Sequence, residues 1–347
     1  MEMEYITLNK ISENLDSLRK PITETDRIAG DIPYYGASGI VDYVQEYIFD
    51  EKLLLVSEDG ANLIARSTPI AFSIDGKAWV NNHAHVLRFS NSILQKYVEI
   101  YLNNISLEQY ITGSAQPKLN QKMLNEIPIP IIEKSKMELM VNTIEKIEQV
   151  VSKRKRELKM LDELVKARFV ELFGDPIRNT QNRPTTDFIN VVKMQRGFDL
   201  PVQDRQQDGD IPVFGSNGAL DRHNVAKVQG GGVITGRSGT IGKVYYTEGD
   251  YWPLNTSLFS VDTHGNNIIY LAYLLQMYDL SRFTEGTGVP TLNRNKFHNK
   301  PIIDVPLNEQ EQFATFVKQT DKSKLSIQQS LEKLETLKKS LMQQYFG

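Results

Sequence analysis

Residues 30–42 read GDIPYYGASGIVD, and residues 209–221 read GDIPVFGSNGALD. Seven of these 13 columns are identical, an eighth pairs Tyr35 with Phe214, and the offset is 179. Working outward, GSAQPKLNQKMLNEIPI from Gly113 matches GTGVPTLNRNKFHNKPI from Gly286 at an offset of 173, because the first copy carries six extra residues between Leu63 and Asn82. LKMLDELVKARFVELFG, ending at Gly174, matches LEKLETLKKSLMQQYFG, ending at Gly347, again 173 apart. Three ordered matches describe one unit written twice. Two copies are too few to stack as a solenoid, so the expected architecture is a pseudo-dimer.

Each copy starts with a mixed region rich in Gly, Pro, Tyr and Asn. Short apolar runs such as KLLLVS from Lys52 and GVITG from Gly232 predict strands. SILQKYVEIYL from Ser92 and NIIYLAYLLQMY from Asn267 have helical length and period. A proline-flanked exit follows, IPIPII from Ile127 and PIIDVPL from Pro301. Each copy then becomes one long helix. Met137, Met140, Ile144, Ile147, Val151, Arg154, Leu158, Leu161, Val165, Arg168 and Leu172 keep alternating 3,4 spacing, the pattern of a coiled-coil seam. Phe313, Val317, Thr320, Lys324, Ile327, Leu331, Leu334, Lys338, Leu341 and Tyr345 repeat it with a more polar seam. A helix over 137–172 spans roughly 53 Å. GDPIRNTQNRPTTD from Gly174 predicts a helix stop and a linker.

The expected fold class is therefore α+β: two repeated globular domains, each followed by a long helix, the helices pairing as a coiled coil. Two-fold symmetry of the copies sets that pair antiparallel. Packing of each helix on its own globular domain is the other reading of the same heptads. The expected boundaries are 1–134, 135–174, 175–306 and 307–347.

Composition excludes several chemistries. The 347 residues carry 40 Lys+Arg, 43 Asp+Glu and no Cys, for a net charge of −3. Without cysteine there is no disulfide framework, thiolate nucleophile or Cys-type zinc site. No apolar stretch approaches the ~20 residues of a membrane span. MEMEYITLNK lacks the basic and apolar regions of a signal peptide, so the expected compartment is the cytoplasm. GRSGTIGK (Gly236–Lys243) has five residues between its outer glycines, and Val244 stands where a P-loop needs Ser or Thr. It predicts a glycine-rich turn between strands. His83 and His85 are two apart, which on a strand puts them on one side, but no third ligand lies nearby in sequence, so no metal is expected. There is no GxSxG, no HExxH, and no Asn/Asp-Pro-Pro-aromatic motif of an amino-methyltransferase. No catalytic residue is assigned.

A polyanion site rests on local charge instead. Arg222–Thr247, Gln109–Asn125 and Gly286–Ile303 contain no Asp or Glu but several cations among Gly, Asn, Thr and Ser. That mixture suits approach to phosphates, with polar side chains left to read base edges. The candidate DNA-facing side chains are Ser38, Arg66, Lys118, Asn120 and Lys122 in the first copy. In the second they are Asn217, Arg237, Ser238, Asn293, Arg294 and Lys296. The repeat-matched loops QPKLNQKM and VPTLNRNKF are the strongest of these. Where the first copy has SEDGANL from Ser57, the second has GRSGTIG from Gly236, so loops that both face a duplex read different sequences. KRKR (Lys153–Arg156) reads as a solvated helix face, with Arg154 on the seam, snorkelling or pairing with an acid across the coil.

At this point the chain resembles the specificity subunits of type I restriction–modification systems. The resemblance is carried by IPxxGxxG (Ile32–Gly39 and Ile211–Gly218), Pro-Leu-Asn-Glu-Gln leading into the second helix (Pro306–Gln310), and the LFG and YFG helix ends (Leu172–Gly174 and Tyr345–Gly347). Pro130–Lys134, PIIEK, departs from the pattern. The resemblance implies two target-recognition domains, each reading one half of a split, asymmetric duplex DNA site. It implies two modification subunits that bind S-adenosylmethionine and methylate adenine, and restriction subunits that join them, with no cofactor in this chain. A coiled-coil interaction protein without a DNA role, or an enzyme with an unrecognised site, are the other classes.

Overall fold

The computed structural model describes residues 4–113, 116–286 and 290–347. Residues 114–115 and 287–289, which fall inside two of the acid-free tracts, lie outside the described residues, as do 1–3. The chain divides into two units, Met1–Lys153 with Leu331–Gly347, and Arg154–Ser330. The dividing points lie within the long helices.

The first unit contains β1 (Glu4–Thr7), β2 (Ser12–Asn14), β3 (Ala29–Gly36), β4 (Gly39–Val44), β5 (Phe49–Asp50), β6 (Leu53–Ser57), α1 (Asn62–Ala65), β7 (Ala71–Ile74), β8 (Lys77–Val80), β9 (Ala84–Phe89), α2 (Ser92–Asn104), α3 (Gln121–Asn125), β10 (Pro128–Ile131) and the start of α4 (Lys134–Phe173). Its sheets run β2-β9-β6-β7 and β4-β3-β8-β5, and β1 pairs β10. The second unit contains β11 (Thr185–Asp187), α5 (Phe188–Val191), β12 (Lys193–Arg196), β13 (Ile211–Gly215), β14 (Gly218–His223), β15 (Gly232–Gly236), β16 (Val244–Thr247), β17 (Trp252–Pro253), β18 (Ser257–Asp262), α6 (Ile268–Tyr278), β19 (Thr284–Glu285), β20 (Thr291–Leu292), β21 (Pro301–Ile303) and most of α7 (Leu307–Phe346). Its sheets, β12-β18-β15-β16, β14-β13-β17 and β11-β21, repeat those of the first unit. The proline-flanked exits are short strands, β10 and β21, that pair with the first strand of each copy.

The opening motif is a β-hairpin, β3–β4 and β13–β14. Several of its identical columns have a structural reason. A side chain at Gly30 would lie 2.5 Å from the Val44 carbonyl oxygen, and one at Gly209 would lie 2.2 Å from that of His223. Gly39 and Gly218 turn the chain at φ +122° and +96°. Asp42 binds the Arg27 guanidinium at 3.0 Å, and Asp221 binds Arg205 at 3.2 Å. Each aspartate also accepts the N–H of the next residue. These hydrogen bonds hold both carboxyls below the usual carboxylate range.

All the predicted seam residues of α4 and α7 are buried or half-buried. Within the second unit the helices run antiparallel. Asp162 meets Lys324 at 2.6 Å, and Phe169 and Phe173 meet Phe313 at ring distances of 5.4 and 5.7 Å, so partners on α7 run back as α4 advances. Within the first unit Glu148 meets Lys338 at 2.7 Å. Two polar seam positions of α7, Lys324 and Lys338, are thus used for ion pairs with α4. Arg154 pairs with Glu157 on its own helix at 2.7 Å, not with an acid across the coil, because a carboxylate one turn away is within reach without crossing. Gln310 is buried at the start of α7, where it accepts from the Asn267 N–H and donates to Val305 O and Asn266 Oδ1. That gives the Pro-Leu-Asn-Glu-Gln lead-in a physical role.

The core of each unit joins both readings of the heptads. In the first, Met140, Val141 and Ile144 pack with Leu124, Ile127 and Tyr97, and Met342, Tyr345 and Phe346 join the same cluster. In the second, Phe169 and Phe173 pack with Tyr270, and Phe313 and Val317 join them. Each helix end therefore docks on the globular domain of the other sequence copy. The docking is equivalent: Phe346 meets Tyr97 at 5.5 Å, and Phe173, its repeat partner, meets Tyr270 at 5.2 Å.

Candidate nucleic-acid interface

Three loops meet in each unit. In the first they are the hairpin tip at 37–38, the turn after β6 at 57–60 and the segment 117–120. Ser57 Oγ donates to the Ala37 carbonyl. Leu119 N donates to Glu58 O at 2.8 Å, Gly60 N donates to Pro117 O at 3.1 Å, and Asp59 bridges Lys118. The second unit repeats this frame. Leu292 N donates to Arg237 O at 2.8 Å, Ser238 bridges Thr291, and Gly236 and Gly239 lie against Ser216 at the hairpin tip. Offsets of 179 on one side and 173 on the other make Leu119–Glu58 and Leu292–Arg237 the same backbone bond, and Asp59–Lys118 and Ser238–Thr291 the same bridge.

The side chains on that frame differ. Glu58 is buried and binds Arg19 at 2.6 Å and Lys118 at 3.1 Å. Burial raises its carboxyl, but the Arg19 hydrogen bond, the His85 charge and Lys118 outweigh that and hold it low. Arg237, its counterpart, is half-buried and has no carboxylate partner among the described residues. Asp59 is taken by His83 at 2.9 Å, whereas Ser238 has no side-chain partner among the described residues.

Of the sequence-predicted residues, Ser38, Lys118, Asn217, Arg237 and Ser238 sit at these loops. Lys122 is the second residue of α3, exposed and without an ion-pair partner among the described residues. Asn120 caps α3 by accepting from Met123 N at 3.0 Å. Asn293 caps the next short turn by accepting from Asn295 N at 3.1 Å. The two asparagines thus shape the loops that carry the cations. Arg294 lacks a carboxylate partner among the described residues, while Lys296 pairs with Glu285 at 2.6 Å. Arg66 stands apart from the three-loop frame. It has a left-handed backbone (φ 51°), and its guanidinium donates to Leu102 O and Ile105 O at 3.1 and 2.7 Å, capping the C-terminus of α2. Those carbonyls need donors, and Arg66 supplies them.

The two histidines do not share one strand face, because β9 begins only at Ala84. His83 lies in the preceding turn and His85 within the strand, fully buried. Sequence reading missed the partners of His85. Asp16, Glu58 and His85 offer donor atoms within 4.8 Å of one another. Arg19 and Lys118 already answer both carboxylates, so the group is an ion-pair network. GRSGTIGK forms the turn between β15 and β16. No helix among the described residues is long and apolar enough to cross a membrane.

Comparison with known proteins agrees with this architecture. A family model for the type I restriction modification DNA specificity domain matches residues 1–160 and again 178–338. A putative type I restriction enzyme specificity subunit of Haemophilus influenzae is 24% identical, covering 98% of this chain and 95% of that protein. The crystal structure of a type I restriction-modification system S subunit from M. genitalium aligns at 13% identity with a TM-score of 0.71, over 100% of this chain and 96% of that one. A chain from a structure addressing assembly and conformational transition of the type I R-M system aligns at 13% identity with a TM-score of 0.59, over 100% and 99%. At these identities the structures speak for the fold alone. The double family match covers most of the chain, and the protein belongs to the type I restriction–modification specificity family.

Proposed function

We propose that this chain is the non-catalytic DNA-reading subunit of a cytoplasmic type I restriction–modification complex. Each unit reads one half of a bipartite, asymmetric duplex site. Adenine methylation, with S-adenosylmethionine as methyl donor, belongs to two partner modification subunits, and cleavage belongs to restriction subunits where they join. This chain itself takes no cofactor. One observation carries the reading: the same three-loop frame is built twice from the same backbone bonds, yet presents Glu58, Asp59 and Lys118 in one unit and Arg237, Ser238 and Thr291 in the other. A common scaffold with divergent side chains suits two readers of different sequences.

The test is to purify the chain with co-expressed modification subunits and map methylated adenines across a genome. The expected result is two different short half-motifs separated by an unread gap. A single undivided motif overturns the two-reader reading. A flat, salt-insensitive DNA titration favours the coiled-coil scaffold instead. Methyl transfer by the isolated chain overturns the non-catalytic assignment.

A further inference from the structure

Behind the 117–120 segment of the first unit lies a buried set of charges around His85. The ring is fully excluded from solvent. Its Nδ1 lies 2.6 Å from Asp16 Oδ2 and 3.8 Å from Glu58 Oε2, and its Nε2 lies 2.7 Å from the Leu119 carbonyl oxygen. Carboxylate and carbonyl oxygens only accept, so both short contacts are hydrogen bonds only when each ring nitrogen carries a proton. The surroundings suit that charge. Asp16 and Glu58 face the ring, Arg19 binds both carboxylates at 3.4 and 2.6 Å, and Lys118 binds Glu58 from the rim. Leu119 lies between Lys118 and Asn120, and its own N–H is held by Glu58 O. The segment is thus pinned from both sides by this network.

The second unit carries an apolar residue at the matching position. His85 sits opposite Val56 in the β6–β9 ladder, and Leu258 sits opposite Thr235 in the matching β15–β18 ladder. Leu258 is part of the apolar core there.

We propose that His85, held as an imidazolium between Asp16 and the Leu119 carbonyl, is a positioning residue for target reading by the first unit. It fixes the segment that carries Lys118 and Asn120. Removing the ring removes both anchors and frees the segment. Reading by the first unit then weakens, while reading by the second unit does not respond by this route. The proposal rests on the chain being a DNA-reading subunit.

The experiment selects bound duplexes from a random pool with the full chain and its modification subunits. Wild type, His85→Leu and Asp16→Asn are compared, and each half-motif is scored separately. His85→Leu weakens one half-motif about tenfold, the scale of one mismatched base pair, and leaves the other unchanged. Asp16→Asn keeps both anchors on a neutral ring, because the amide donates to Nδ1 while Nε2–H still binds Leu119 O. That variant therefore keeps the half-motif that His85→Leu weakens, which a merely structural defect does not produce. Equal weakening of both halves or no weakening of either in His85→Leu, or loss of that half-motif in Asp16→Asn, overturns the positioning role while leaving the two-reader reading intact. Absence of any selected motif in wild type removes that reading, and the proposal with it.

Discussion

Position 58 and position 237 occupy the same place in two copies of one fold. In the first unit Glu58 is buried and consumed by Arg19 and Lys118. In the second Arg237 is left without a carboxylate partner among the described residues. The same backbone bond, to Leu119 or Leu292, holds both. The difference teaches that the frame and the reading chemistry are separable. Backbone hydrogen bonds and glycines build the loops in both copies, so the frame persists while the side chains on it diverge. It also shows that one unit uses its central charge to hold a loop, while the other leaves its charge without a carboxylate partner among the described residues.

The largest effects should come from the helix ends. Phe173 is fully buried against Phe169, Tyr270 and Phe313, whereas Phe346 is half-buried against Tyr97 and Tyr101. Phe173→Ala should cost about 3–5 kcal/mol of stability, and Phe346→Ala about half as much, by denaturant melts. Equal costs would mean that the second docking is no tighter than the first. Next, Glu58→Ala strips the carboxylate from Arg19, Lys118 and His85, and should cost about 3 kcal/mol. Arg237→Ala should leave the melt within about 0.5 kcal/mol yet weaken DNA binding by about 1–3 kcal/mol. If both substitutions act on stability, the contrast between these positions is broken.

Salt dependence sharpens the comparison further. Arg294→Ala should reduce the slope of log affinity against log salt by about one. Lys118→Ala should reduce it by less, because Glu58 already neutralises that charge. The smallest effect concerns acid. His298 accepts from the Met194 N–H through Nε2, stacked on Phe188, and burial with Arg294 and Lys193 pushes its pKa below the ordinary 6.5. Its folded pKa is depressed, so the neutral form is the stabilising one, and stability is lost as pH falls from 6.5 through the folded value. Asp16 and Glu58 are also depressed, from 3.8 and 4.5, so their contribution persists until much lower pH. Hydrogen exchange, corrected for intrinsic rates, should show the second unit loosening first on acidification.

Much of this fold is legible in local pattern. The heptads placed both seams, and all the seam residues are sheltered, because a 3,4 apolar spacing has one way to be buried on a helix. The hairpin motif was legible because its first glycine and last aspartate answer to neighbours no more than 16 residues away. The capping role of Arg66 was not legible, since nothing local says that its guanidinium reaches carbonyls 36 and 39 residues away. The acid-free tracts hide their ion pairs for the same reason: Glu58 reaches Lys118 from across the sequence. The asparagines of both loops were found, but their capping role depends on the turns that follow them.

The sequence by itself determined that the chain is one α+β unit written twice, with two long helices and no cysteine chemistry. Those properties are periodic or compositional, and each copy repeats them. Only the tertiary structure decided that the end of each helix belongs to the other copy's core, with Phe173 on Tyr270 and Phe346 on Tyr97. It alone brought Asp16, Arg19, Glu58, His85 and Lys118 into one buried network. The physical reason is that burial and charge pairing act through space. A carboxylate 69 residues from a histidine leaves no period in the chain, yet at 2.6 Å it shares a proton's charge with that ring.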